Sequence, residues 1–202
     1  MEMFEKIKIA TIEELMVLWN NTASDIDVTQ DSMCEDVANA LSQIRPEGIN
    51  FLKSFAYSKD RNKRRWAIYF LASKEIADAE VKKYLLDLAS SDDESCIITA
   101  LLGFIRIGYF PLENTVVINL MDHKDERLAA TAMVYLSNAH PKETVNILID
   151  GFRSANPRKR EYACDEVGDR MIHELKEYLL EATKDSDGYV RQAATINLEF
   201  FT

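Results

Sequence analysis

Few side chains in this sequence are placed to do chemistry. His123, His140 and His173 stand far apart near expected helix ends, with no i, i+4 pairing that would put two imidazoles on one helical face for a metal. Cys34, Cys96 and Cys164 are equally scattered and form no Cys-x-x-Cys pair. Each occupies a small-residue or apolar position, so they read as buried hydrophobes of a reducing compartment rather than as disulfide partners or nucleophiles. There is no glycine-rich phosphate loop and no Gly-x-Ser-x-Gly elbow. The one carboxylate in an unusual place is Glu166, which has Asp165, Asp169 and Arg170 nearby. A partly buried acid of this kind suits general acid–base work, whereas the four-residue step to Arg170 suits a helical ion pair, and the spacing favours the pair. No catalytic residue, cofactor site or metal ligand is therefore expected, and attention passes to surfaces.

The elements that carry these residues repeat. Asp187 is followed seven residues later by Ala194, and the same step joins Asp31 to Ala38, Asp60 to Ala67, Asp93 to Ala100, Asp125 to Ala132 and Pro157 to Cys164. Successive small residues fall 29 to 33 positions apart, a period that belongs to stacked helical hairpins. An aspartate accepts hydrogen bonds from the first free N–H groups of a helix, so Asp60, Asp93, Asp125 and Asp187 are expected N-caps. The small residue two turns on admits a neighbouring helix. A second column, Leu52, Leu85, Val117, Ile149 and Leu179, marks the partner helices. The expected fold is all-α, an α-solenoid of antiparallel hairpins forming one domain over 1–202. Residues 1–30 are read as a capping helix, begun by a Thr11–Glu14 capping box, with a loop over 22–33; residues 31–202 hold about five and a half repeats. First helices are predicted near 33–44, 61–73, 94–107, 126–138, 157–169 and 188–201, and second helices near 46–57, 78–90, 112–122, 141–153 and 171–184.

Two surfaces follow from this register. Polar residues two places after each second-helix anchor form a ladder of Ser54, Asp87, Asn119, Gly151 with Asp150 beside it, and Glu181; its acids would suit a basic partner, although a solvated helix face looks the same. On the last helix, Tyr189, Ile196 and Phe200 form an apolar stripe apart from Val190, Ala193, Ala194, Leu198 and Phe201, and are expected to be exposed or covered by another chain, such as a second copy in a homodimer. Two basic clusters, Arg61, Lys63, Arg64 and Arg65 before Trp66, and Arg158, Lys159 and Arg160, begin first helices, where the helix dipole disfavours them and something should compensate, Asp60 with Arg64 being one candidate pair; they suit a contact to phosphate or an acidic peptide, although ion pairing between repeats is favoured.

The stretch Asp187-Gly-Tyr-Val-Arg-Gln-Ala-Ala resembles the HEAT-repeat family, in particular its HEAT-like (PBS-lyase-type) subgroup, whose pattern is Asp-x-x-Val-Arg-x-x-Ala-Ala followed by leucine. Asp187, Val190, Arg191, Ala193, Ala194 and Leu198 carry it here. Elsewhere the match is partial, with Val190 replaced by Cys34, Lys63, Cys96, Leu128 and Arg160, and Arg191 recurring as Arg64. The resemblance implies a protein-binding scaffold, an immunity-type masking of a basic nuclease-like partner being one form. A rival reading is a DNA-binding enzyme similar to the alkylpurine DNA glycosylases, on the strength of Lys63-Arg-Arg-Trp-Ala-Ile-Tyr69. Against it stands a net charge of −10 over 202 residues, which opposes binding to many phosphates. No uncharged run is long enough for a bilayer, and Met1–Lys6 lack the pattern of a signal peptide, so a cytoplasmic protein is expected.

Overall fold

The computed structural model describes Ile7, residues 9–22 and residues 28–201. Among these residues there are twelve α-helices, two short 3-10 turns and no strand. The chain packs as two compact units, Met1–Ser91 and Asp92–Thr202.

In the first unit α1 (Ile12–Asn21) starts where the capping box predicts: Thr11 N donates to Glu14 Oε2 at 2.8 Å and Glu14 N to Thr11 Oγ1 at 3.3 Å. Then come α2 (Val28–Gln43), α3 (Glu47–Lys53), α4 (Arg61–Leu71) and α5 (Ala79–Ala89). α2 packs against α1, α3 and α4, and their shared core contains Trp19, Val37, Ala38, Leu52 and Ala67. Trp19 is fully buried with Phe55 edge-on at 5.4 Å. Of the loop expected over 22–33, residues 23–27 lie outside the described residues, but 28–33 are helical, contrary to expectation. The turn-like composition misled because Asp31 is not a cap. Its carboxylate is held from α4, by Arg65 Nη2 at 2.6 Å and Trp66 Nε1 at 2.8 Å.

The second unit contains α6 (Glu94–Ile107), α7 (Asn114–Met121), α8 (Glu126–Ala139), α9 (Thr144–Phe152), α10 (Pro157–Asp169), α11 (Lys176–Ala182) after a 3-10 turn, and α12 (Gly188–Leu198). α8 packs against α6 and α10, and α10 against α12; α7 and α9 pack on α8, and α9 and α11 on α10. Covered on several sides, α8 buries every residue from Leu128 to Ser137, which its run of alanines permits.

The expected caps are in place. Asp60 accepts from Asn62 N and Lys63 N, Asp93 from Ser95 N, Asp125 from Leu128 N, and Asp187 from Tyr189 N and Val190 N. α10 requires a correction: its cap is Asn156, which accepts from Arg158 N at 2.8 Å, and Pro157 is the first helical residue. Counted from the cap, Ala163 rather than Cys164 takes the place of Ala194, and Arg160 takes that of Arg191 and Arg64. Geometry agrees. Arg64 Nη1 donates to Ser58 O at 2.8 Å, Arg160 Nη1 to Ser154 O at 2.9 Å and Arg191 Nη1 to Asp185 O at 2.7 Å, each bracing the carbonyl six residues before it.

Candidate functional site

Burial sets the register of the second helices. Leu52, Leu85, Val117 and Leu179 are fully buried as expected, but in α9 the fully buried residue is Leu148, not Ile149. The rung two places on is then Asp150 itself. Gly151 is no rung: it is buried, and a Cβ there would meet Met133 Sδ and the Ala163 Cβ. Ser54, Asp87, Asn119, Asp150 and Glu181 are all exposed. Asp87 already has partners, accepting from Tyr57 Oη and Lys83 Nζ at 2.5 Å each, and the Lys83 contact holds its carboxyl below the usual carboxylate range. Asp150 and Glu181 have no hydrogen-bond or ion-pair partner among the described residues.

Glu181 also lines a cleft of ≈ 520 Å³ formed by α9, α10 and α11. The rings of Phe152 and Tyr178 meet there at 5.4 Å with a 32° tilt, and Arg153 Nη2 donates to Tyr178 Oη at 3.3 Å. Arg160 is clamped by Asp185 through Nε to Oδ2 at 2.7 Å and Nη2 to Oδ1 at 2.8 Å. Glu177, one turn before Glu181 on α11, lines the same cleft and is exposed without a partner among the described residues. The sequence reading passed over Glu177 and Tyr178, although two carboxylates at i, i+4 flanking an aromatic residue were a visible signal.

Most of the basic clusters are turned to internal use. Arg64 is buried, Arg65 stacks over Trp66 at 4.5 Å while bonded to Asp31, and Lys63 Nζ reaches Asn20 O at 3.3 Å and Asp60 at 3.9 Å. Arg158 pairs with Glu161 at 2.6 Å and lies over the Tyr189 ring at 4.9 Å. In the expected apolar stripe Tyr189, Ile196 and Phe200 are 61%, 49% and 54% exposed, so α11 does not cover them. It is Phe201 that is buried, edge-on to His173 at 5.2 Å.

Glu166 does pair with Arg170, at 3.3 Å, and accepts from Asn138 Nδ2 at 3.0 Å; burial raises its carboxyl above the ordinary range. Its neighbour Asp165 is the more perturbed acid. Asn197 Nδ2 donates to it at 2.9 Å, and Gly168 leaves the space that the Asn197 amide fills. Burial pushes the Asp165 carboxyl up to about 6, the Asn197 bond opposing and the charges of Glu161, Asp169 and Glu166 adding. A folded value above the unfolded one means that the folded chain holds this proton more tightly. That contribution is complete below the ordinary value of 3.8 and is lost as pH rises through about 6. Asp165→Asn should therefore gain about 2 kcal/mol on the parent between roughly pH 4 and pH 8, read from urea unfolding at both. A parent–variant difference that does not change with pH would refute this.

The thiols are poorly placed as nucleophiles: Cys34, Cys96 and Cys164 are buried and joined in no disulfide, and burial raises Cys164 to about 12. Among the described residues no group of three His, Cys, Asp or Glu side chains could hold a metal ion, and no helix is long and apolar enough to cross a membrane.

No family model matches the chain, and no curated protein matches it. Among solved structures it is similar to an engineered protein, with 18% identity, coverage of 95% of this chain and 96% of that one, and a TM-score of 0.43, too loose a likeness to carry an argument.

Proposed function

We propose that this chain is a non-catalytic interaction module, a HEAT-like α-solenoid that holds another protein through a basic surface on that partner. The observation that carries the reading is how the charges are sorted. Arg64, Arg65, Arg158 and Arg160 are engaged with backbone carbonyls or carboxylates of the chain itself, while Asp150, Glu177 and Glu181 stand exposed without partners among the described residues. Unpaired acids on one helix set complement a cation supplied from outside. Support for the hairpin array comes from the packing of α6, α8, α10 and α12 in succession and from the arginine brace repeated before α4, α10 and α12.

The glycosylase-like reading is the weaker, because Arg64 and Arg65 are committed to Ser58 O and Asp31 rather than offered to phosphates. The deciding experiment uses the purified chain as bait in extract of its own cells, followed by affinity measurement with the purified partner. Asp87→Lys, Asp150→Lys and Glu181→Lys together should leave the melting curve nearly unchanged and weaken a basic partner by more than about tenfold. Undiminished affinity would return these acids to the status of a solvated face. A salt-sensitive, submicromolar complex with plain duplex DNA would favour the enzyme instead.

A further inference from the structure

We propose that the cleft formed by α9, α10 and α11 is the socket for an arginine side chain of the partner; the inference rests on the interaction reading above and names its recognition chemistry. Glu177 and Glu181 place two like charges one turn apart on α11, both lining the cleft. Like charges at this spacing repel, and although Arg153 and Arg160 line the same cleft, neither carboxylate is hydrogen-bonded to or paired with a cation among the described residues. The cleft's own cations are otherwise directed. Arg160 gives three nitrogens to Asp185 and to the carbonyls of Ser154 and Ala155. Arg153 is tied to the Tyr178 hydroxyl.

A guanidinium answers what remains. Its flat fork can bridge both carboxylates, and its face stacks on a ring such as that of Tyr178, which a lysine ammonium does less well. The remaining N–H groups of Arg153 suit a main-chain carbonyl beside that arginine, which places the partner's backbone at the α9 end of the cleft. A volume of ≈ 520 Å³ admits one long side chain with its flanking peptide groups.

The test is a titration of isotope-labelled whole chain with Nα-acetyl-arginine N-methylamide, followed by NMR, beside the same titration with the neutral citrulline analogue. The expected result is a saturable millimolar shift confined to the Tyr178 ring and the amides of 177–182. It should be at least about tenfold weaker for citrulline and for Glu177→Gln with Glu181→Gln. Equal response to citrulline, shifts unaffected by the double substitution, or a preference for the acetyl-glutamate analogue would overturn the socket. Glu177 lies outside the Asp87, Asp150 and Glu181 set, so the two readings fail separately. If the partner binds the Glu177→Gln chain unweakened and arginine gives no saturable shift, the socket is wrong and the wider surface stands. If arginine saturates but the triple lysine variant holds its partner undiminished, the ladder is wrong and the socket stands.

Discussion

Gly48→Ala should destabilise the Met1–Ser91 unit by about 3 kcal/mol, although alanine is the better helix former. A Cβ at this position in α3 would be driven into the carbonyl oxygen of Leu41 and would crowd the Ile44 Cβ. The obstacle is backbone, which cannot rotate aside, so α2 and α3 must separate. Overpacking typically costs about 1–3 kcal/mol and more where backbone is the obstacle, so a gross cost of roughly 4 kcal/mol less a helix-propensity gain of roughly 0.5–1 kcal/mol leaves about 3 kcal/mol. Trp19 and Trp66 are the two tryptophans of the chain and both belong to this unit, so fluorescence unfolding reads it directly. Melting of Gly48→Ala equal to that of the parent would show that α2 and α3 are not packed this closely.

Arg160→Ala should cost a similar amount, about 3 kcal/mol, in the Asp92–Thr202 unit. The guanidinium joins the segment before α10 to the segment before α12, and its side chain is 15% exposed against 14% for Asp185. Removal leaves a largely buried carboxylate without its cation and two carbonyls without their donor, and breaking one partner of such a pair typically costs about 3–5 kcal/mol. Arg160→Lys keeps the charge but cannot hold both Asp185 oxygens and both carbonyls, so it should recover less than half of the loss. The Arg160 bond keeps the Asp185 carboxyl below its ordinary value. The pair thus stabilises above that ordinary value and ceases to do so as pH falls through the lower folded one. The deficit of Arg160→Ala should shrink in acid, and a deficit independent of pH would place the role of Arg160 in packing alone.

The parts of the fold legible in the sequence were those written locally. Asp60, Asp93, Asp125 and Asp187 cap helices because a side chain and the N–H groups it meets lie within three residues of each other. Register was legible only where neighbours disambiguate it. In Ile147-Leu148-Ile149 three adjacent aliphatics fit the helical period almost equally, and Pro157 hides the asparagine that caps α10. One misplaced residue in each turned Asp150 into Gly151 on the ladder and drew attention to Glu166 in place of Asp165. Long-range partners could not be read at all: nothing local shows that Asp31 is met by Arg65 and Trp66, or that Tyr178 faces Phe152.

The buried cysteines have a consequence for how this molecule could be watched. A thiol reagent attacks thiolate, and a sulfur that is enclosed by helices, and in Cys164 ionises only near 12, meets reagent when those helices part. Cys34 belongs to the Met1–Ser91 unit, and Cys96 and Cys164 to Asp92–Thr202. The chain thereby contains its own pair of clocks, one sulfur timing the opening of the first unit and two timing the second, with no probe attached and no residue replaced.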